Sequence, residues 1–149
     1  MTDDKWNLVL DVNLKGVFNM TRLFGPLMEV NNYGSIINIS SVVGVFGNIG
    51  QANYAATKAG VLGLTKTWAK EFARKGANVR VNAIAPGYCD TEMLASVPDK
   101  VMTQIVAQIP VGRLGDAAEI ARAVAFLAKD DAAFITGETL AINGGQYMS

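Results

Sequence analysis

The chain has 149 residues, enough for one domain with a core of its own. Thirteen basic and thirteen acidic residues cancel, so the charge indicates neither nucleic acid nor an anionic membrane as a partner, and no apolar run approaches the roughly 18 residues of a membrane span. The absence of histidine excludes Ser-His-Asp triads and His-ligated metal sites, and the single cysteine, Cys89, excludes an internal disulfide and predicts a reducing cytoplasm.

The first predicted element is a helix from Asp3 to Glu29, with Thr2 as its N-cap. Its apolar stripe recurs at spacings of four and three: Trp6, Leu10, Asn13, Val17, Met20 and Phe24. Asn13 is the one amide in this stripe. From the residues alone, a core amide that bonds a neighbouring backbone and a polar group in a site are equally good interpretations.

The middle of the chain predicts a strand, a loop and a long helix. The apolar run from 36 to 40 predicts a buried strand, and 41–51 a loop made flexible by its glycines at 44, 47 and 50. The helix from about 52 to 75 carries apolar positions far beyond its first turns, which favours a subunit interface. These positions are Leu62, Leu64, Trp68, Ala69 and Phe72.

The remainder predicts a strand over 79–85, a loop with a short helix over 92–109, a helix opened by a capping box at Asp116 and Glu119, and a strand over 139–142. Pro98 suits the first turn of the short helix. Alternation of strand and helix indicates a parallel sheet flanked by helices. The polar turns at Ser41, 86–91 and Gly144 should therefore share one edge of the sheet.

One group of residues carries chemistry. Tyr54 and Lys58 are four apart in the long predicted helix, so their side chains leave the same face one turn apart. Ser41 follows directly after the predicted strand over 36–40, where open α/β sheets bind their ligands. A hydroxyl, a phenol and an ammonium at that edge outline a proton-transfer site.

These residues resemble the short-chain dehydrogenase/reductase family, most closely its 3-oxoacyl-[acyl-carrier-protein] reductase branch. The family pattern of an Asn, a Ser and Tyr-x-x-x-Lys matches Asn13, Ser41, Tyr54 and Lys58 in order and spacing. Further family-like segments are Val12–Gly16, Asn38–Ser41, Gly50–Tyr54, Val81–Gly87, Thr136–Gly137 and Gly144–Gly145.

The resemblance implies a Rossmann-like α/β fold in which residues 1–149 form a single domain, the C-terminal portion of a family member. The N-terminal glycine-rich half, which grips the cofactor pyrophosphate and separates NAD from NADP, has no counterpart in these residues. The predicted strand over 36–40 then lacks its inner neighbours, and we expect it to be an exposed hydrophobic edge.

The implied activity is reduction of a carbonyl by hydride transfer from NADPH, with NAD as the alternative cofactor. The implied substrate is a 3-oxoacyl thioester on acyl carrier protein, reduced to the 3-hydroxyacyl product in fatty acid synthesis; steroids, sugars and polyols are alternatives. Family members form homodimers or homotetramers through the two long helices. A catalytically inactive oligomerisation module is therefore the competing hypothesis.

The resemblance also implies roles for four catalytic residues. Tyr54 donates the proton, and Lys58 favours the phenolate form and reaches the nicotinamide ribose. Ser41 polarises the substrate carbonyl. Asn13 holds a water that connects Lys58 to solvent.

Pro86, Gly87, Cys89 and Thr91, with Tyr54 and Lys58, are the implied cofactor-binding residues. Pro86 and Gly87 shape the turn, the main chain of Cys89 meets the nicotinamide carboxamide, and Thr91 supplies a hydroxyl. A reactive thiol at Cys89 is the minor alternative. The segment 92–109 matches the family's mobile substrate loop.

We predict that the 149-residue chain alone binds NADPH with a dissociation constant weaker than about 1 mM, because it has no glycine-rich turn for the pyrophosphate. Isothermal titration calorimetry measures this directly, with a full-length relative that carries the turn as the positive control. A sub-millimolar constant for the chain alone would contradict the prediction.

Overall fold

A computed structural model gives the fold of residues 1–94 and 96–148. In chain order its elements are α1 (Asp3–Leu10), a π-helical turn (Asp11–Lys15), α2 (Gly16–Val30), β1 (Gly34–Ile39), α3 (Val42–Phe46), α4 (Ala52–Arg74), β2 (Val79–Pro86), a 3-10 turn (Glu92–Leu94), α5 (Asp99–Ala107), α6 (Ala117–Ala128), a 3-10 turn (Asp130–Ala132) and β3 (Thr139–Ile142). Within the described ranges, no helix is both long enough and apolar enough to cross a bilayer.

The three strands form one parallel sheet in the order β1-β2-β3, which confirms the predicted α/β architecture. Ile39 of β1 lies level with Ile84 of β2, and Pro86 of β2 lies level with Ile142 of β3. The carboxyl ends of all three strands therefore lie at one edge of the sheet, as the order of the predicted elements indicated.

β2 is the buried centre of the molecule because helices cover both of its faces. On one face Val79 and Val81 pack with Trp68 and Phe72 of α4. On the other, Ile84 packs with Leu127 of α6 and its neighbours. β2 accordingly buries every residue from Val79 to Ala85, including the polar Arg80 and Asn82, whose side chains are hydrogen-bonded.

β1 is an exposed edge, as the sequence predicted. Gly34 and the residue after β1, Ser40, donate their N–H groups to the β2 side. The N–H and C=O groups of successive strand residues point alternately to the two sides of the strand. Since the even-numbered residues 34 and 40 bond toward β2, the backbone groups of residues 35, 37 and 39 face away from it. Ile39 is 47% exposed although its neighbours in β2 are fully buried. Such an edge is able to pair with another strand.

The predicted stripe of the first helix is corrected by the π turn. Trp6, Met20 and Phe24 are exposed. Trp6 lies in α1, which has no buried residue, and the positions buried after the turn are Thr21 and Gly25. The N–H that closes the turn bonds the carbonyl five residues earlier, so the turn holds one residue more than an α-helical turn. Val17, just after the turn, packs against the core as predicted, and the next buried positions, Thr21 and Gly25, lie one residue later than the predicted Met20 and Phe24.

The interface predicted from α4 is also revised. Trp68, Ala69 and Phe72 are buried in the core of this chain against β2. They are apolar because α4 covers the sheet, so they carry no argument for a second subunit. Several exposed apolar side chains lie on α2, among them Met20, Leu23 and Leu27.

In the second half of the chain, the predicted helix and strand boundaries agree with the structure except at Pro98. The helix that opens at Asp116 has both bonds of the predicted capping box and ends at Ala128. Pro98 is the N-cap of α5 and precedes its first turn, with an extended ψ of 142°. The predicted loop with a short helix over 92–109 contains the first 3-10 turn and α5, which is the predicted helix, and its residue 95 lies outside the described residues.

Arg80 of β2 holds α6 against the sheet. Its buried guanidinium donates to the carbonyl of Leu127 at 2.8 Å and to that of Lys129 at 3.0 Å. These carbonyls belong to the end of α6, where the helix leaves acceptors without intrahelical partners. A cation there also complements the helix dipole.

We predict that Arg80→Met lowers the free energy of unfolding by about 2 kcal/mol, because it leaves carbonyls at the end of α6 without their charged donor. Urea unfolding monitored by circular dichroism measures the change. Arg122→Met, which removes an exposed arginine of the same helix, is the matched control and should change stability by less than about 0.5 kcal/mol. Equal effects of the two substitutions would contradict this role of Arg80.

Candidate active site

Lys58 lies at the carboxyl end of β1 and is held there at two points. Its Nζ donates to the backbone carbonyl of Ile39 at 2.8 Å. The hydroxyl of Ser40 donates to the backbone carbonyl of Lys58, also at 2.8 Å. The side chain and the main chain of the same residue are therefore both tied to the strand end. Ser40 was missed at the sequence level, because a serine beside Ser41 has no distinguishing pattern of its own.

Tyr54 and Lys58 share one face of α4, as their spacing predicted. The Nζ of Lys58 lies 5.5 Å from the centroid of the Tyr54 ring. This distance is within the range in which an ammonium is attracted by an aromatic ring. The turn between them is regular, with the Thr57 hydroxyl donating to the Tyr54 carbonyl at 2.8 Å.

The electrostatic environment of Lys58 is unusual for a lysine. Partial burial lowers the pKa of its ammonium from the usual value of 10.5, because desolvation disfavours the charged form. In water all three N–H groups of a lysine ammonium are hydrated. Here the backbone carbonyl of Ile39 takes the place of one of those water molecules. Perturbed groups of this kind cluster at functional sites.

Ser41 follows β1 and begins α3 as its N-cap. Its Oγ accepts from the N–H of Val43 at 3.2 Å. Because the oxygen acts as acceptor in this bond, its own proton remains available for donation. The segment that follows is a short helix, Val42–Phe46, where the sequence predicted a loop.

Gly44 allows α3 to pack directly against α4 at Lys58. A Cβ at this glycine would lie 2.6 Å from the backbone carbonyl carbon of Lys58. The interpretation of this glycine as loop flexibility was wrong, since it provides a close approach between two helices. Only the tertiary contact reveals this, because the sequence spacing of the glycines is the same in either case.

Asn13 lies in the π turn and faces the same groove as Lys58. The groove, about 440 Å³, runs along the open edge of β1, and Asn13, Ile37, Ile39 and Lys58 are among the residues that line it. The structure therefore brings the amide of the first helix and the amine of α4 to one cavity. π turns are rare and are frequent at functional sites.

The turn after β2 occupies the neighbouring part of the same edge. Gly87 donates its N–H to the Ile142 carbonyl at 2.9 Å, which ties the turn to β3. Continuing the register of β1 and β2 places Ser41 level with Pro86. Thr91 is exposed and precedes the first 3-10 turn, Glu92–Leu94.

Cys89 pairs with Gly115 through one side of its main chain, and the pKa of its thiol is raised. It forms an isolated parallel bridge with Gly115, and the bonds of this bridge are made by the residues before and after it. Its own N–H and carbonyl therefore face away from Gly115. Burial and the charge of Glu119 raise the pKa of the thiol from 9.0, so it stays protonated at neutral pH.

Known proteins match nearly the whole chain. Residues 1–147 match the profile of a family described as enoyl-(acyl carrier protein) reductase. The 3-oxoacyl-[acyl-carrier-protein] reductase of Thermotoga maritima is 50% identical over 97% of this chain and 58% of that protein. The acetoacetyl-CoA reductase of Rhizobium meliloti is 55% identical over 100% of this chain and 61% of that protein.

A solved structure agrees with the fold. The crystal structure of 3-oxoacyl-[acyl-carrier protein] reductase from Brucella melitensis has a TM-score of 0.95 and 40% identity, over 100% of this chain and 55% of that one. The chain thus spans about 60% of the length of the curated relatives it matches. With the residue pattern, the parallel sheet and these matches in agreement, the chain belongs to the short-chain dehydrogenase/reductase family.

Proposed function

We propose that this chain carries the proton-transfer half of a ketoreductase that reduces 3-oxoacyl-[acyl-carrier-protein] to the 3-hydroxyacyl thioester in fatty acid synthesis, in the cytoplasm. The observation that carries the proposal is the partly desolvated Lys58 ammonium, tied to Ile39 and 5.5 Å from the Tyr54 ring. The names of the two relatives, a 3-oxoacyl-[acyl-carrier-protein] reductase and an acetoacetyl-CoA reductase, support this substrate class.

Tyr54 is the proposed proton donor. Its hydroxyl proton passes to the carbonyl oxygen of the substrate while a hydride adds to the carbonyl carbon, so the ketone becomes a secondary alcohol. The ammonium of Lys58 on the same face stabilises the phenolate that remains on Tyr54. Ser41, whose O–H is not used in its bond from Val43, donates a hydrogen bond to the same substrate oxygen and stabilises the charge that develops there, while keeping its own proton.

Proton return is the proposed role of Asn13. Both Asn13 and Lys58 line the groove along β1, and the groove is open to solvent. An amide can hold a water by donating and accepting at once. Once Lys58 has given a proton back to the Tyr54 phenolate, that water can return a proton from solvent to the neutral amine. The interpretation of Asn13 as a polar group in a site is the one this proposal uses.

The described residues fit the nicotinamide and ribose end of NADPH. Lys58 has two ammonium donors besides the one used by Ile39, enough for two ribose hydroxyls. The outward main chain of Cys89 fits the carboxamide, with Pro86, Gly87 and Thr91 shaping the same turn. When bound, the nicotinamide supplies the hydride. NADPH rather than NADH is part of the proposal.

The second candidate function is an oligomerisation module without chemistry. It is favoured by one observation, an exposed apolar face on α2, formed by Met20, Leu23, Phe24, Leu27 and Val30. A contiguous apolar face of this kind marks an interaction site. A homodimer or homotetramer formed through it is compatible with the enzymatic proposal as well.

We predict that the stability of the chain relative to Lys58→Met rises as the pH is increased from 7 toward 10.5. Because the folded state lowers the pKa of Lys58, the unfolded state binds more protons between the lowered pKa and 10.5, and stability therefore increases with pH in that window. Urea unfolding of both proteins across this range measures the difference. A difference that is constant with pH would contradict desolvation of Lys58.

We predict that Tyr54→Phe lowers the rate of NADPH oxidation with acetoacetyl-CoA at least a hundredfold, because it removes the proton donor. The assay follows absorbance at 340 nm with the protein at its natural length. Tyr33→Phe is the matched control, since it removes the hydroxyl of an exposed tyrosine outside the site and should leave the rate unchanged.

Two outcomes would overturn the enzymatic proposal. Full turnover by Tyr54→Phe would exclude this residue as the donor. No turnover by the parent, together with an oligomer in analytical ultracentrifugation that Leu23→Glu dissociates, would favour the oligomerisation module. A parent that is active and a Tyr54→Phe variant that is not would support the enzyme whatever the oligomeric state.

A further inference from the structure

An aromatic pair joins two distant parts of the chain beside the candidate active site. The rings of Phe46 and Tyr147 are stacked, with centroids 4.4 Å apart and an interplanar angle of 16°. Phe46 is the last residue of α3, and Tyr147 lies near the end of the chain. We call these two residues the stacked pair.

The first ring is placed relative to the proposed catalytic residues. Helix α3 begins at Ser41, whose Oγ caps it, and is pressed onto the backbone of Lys58 at Gly44. Only one and a half turns of helix separate Ser41 from Phe46. The position of this ring therefore follows from the two contacts that also position Ser41 and Lys58.

The second ring is placed relative to the proposed cofactor turn. The carbonyl of Tyr147 accepts from Asn143 Nδ2 at 2.8 Å, and Asn143 Oδ1 accepts from the N–H of Gly145 at 2.9 Å. Asn143 itself packs on Gly87, where a Cβ would lie 2.9 Å from that of Asn143. The chain after β3 is thus folded back onto the turn after β2.

The stacked pair consequently crosses the carboxyl edge of the sheet. It runs from the segment after β1 to the segment after β3, and the turn of β2 lies between them because the strand order is β1-β2-β3. Phe46 remains 46% exposed and Val45 beside it is equally exposed, so apolar surface is presented at this edge. Exposed apolar surface beside a polar site is suited to a hydrocarbon chain.

We propose that the stacked pair of Phe46 and Tyr147 is the wall that the acyl chain of the substrate contacts, and that it sets the longest chain the site accepts. The inference rests on the proposed function for the identity of the ligand, a 3-oxoacyl thioester. It extends that function by naming the residues that select among such thioesters. Phe46 is held by the packing of α3, and Tyr147 by the hydrogen bonds of Asn143. The stacked pair therefore resists displacement by a longer acyl chain.

The test compares short and long substrates in the protein at its natural length. Phe46→Ala removes one ring and should raise the ratio of kcat/KM for 3-oxodecanoyl-CoA to that for acetoacetyl-CoA by roughly tenfold or more, since hydrophobic pockets discriminate by such factors per methylene. Tyr147→Ala should shift the ratio in the same direction. Phe126→Ala, which truncates a comparably exposed ring of α6, is the matched control and should leave the ratio unchanged.

A purely structural role of the stacked pair predicts a different result. Both substrates would then lose kcat/KM by the same factor in Phe46→Ala, and the ratio would stay at the parent value. That outcome overturns the inference while leaving the ketoreductase proposal intact. Urea unfolding of each variant identifies any that fail to fold, and Phe46→Leu then replaces Phe46→Ala as a milder truncation.

A binding measurement separates failure of the inference from failure of the proposed function. Calorimetry with 3-hydroxybutyryl-CoA and 3-hydroxydecanoyl-CoA needs no turnover. If the parent reduces neither substrate but Phe46→Ala gains affinity for the longer ligand alone, the proposed function fails and the wall is supported. If neither ligand binds the parent or the variants, the inference is overturned.

Discussion

The attachment of Lys58 to the end of β1 is the interaction on which the candidate site depends. The ammonium bonds the carbonyl of Ile39, the Ser40 hydroxyl bonds the carbonyl of Lys58, and Gly44 lets α3 rest on the same backbone. Three different elements meet at one residue. A small displacement of α4 would therefore break all three contacts together, and the geometry of Tyr54, one turn away, would change with them.

The bond from Lys58 to Ile39 uses the side of β1 that faces away from β2. The Ile39 carbonyl points in that direction, and Lys58 Nζ donates to it. Asn13 lines the groove along the same side of β1, so the proton-transfer residues lie along this strand while the buried core lies around β2.

The sequence was sufficient for the parts of the fold that repeat a local pattern. Apolar runs located the strands, the capping box located the start of α6, and the alternation of strand and helix gave the parallel sheet. The four-residue spacing of Tyr54 and Lys58 was sufficient for their common face. Each of these depends on residues close together in the chain, where periodicity and capping carry the information.

The rest depends on contacts between distant segments. Amino-acid composition does not distinguish a π turn from an α-helical turn. The shift of the buried position from Met20 to Thr21 is therefore seen only once the helix is packed on the sheet. Nothing in the sequence distinguishes Gly44 from the other glycines of its segment, because its role depends on the contact with the backbone of Lys58. The pairing of Phe46 with Tyr147 joins positions that no local pattern relates.

The energetic position of Lys58 gives the strongest reason to regard this arrangement as functional. Partial burial of an ammonium opposes folding, and its pKa is lowered for that reason. A methionine would fill similar volume without this cost, and the carbonyl of Ile39, on an exposed edge, could be hydrated instead. Stability alone therefore does not account for a lysine here. A requirement for a positive charge next to Tyr54 does, and Asn13 lines the same groove as Lys58, where the proposed water would connect the two.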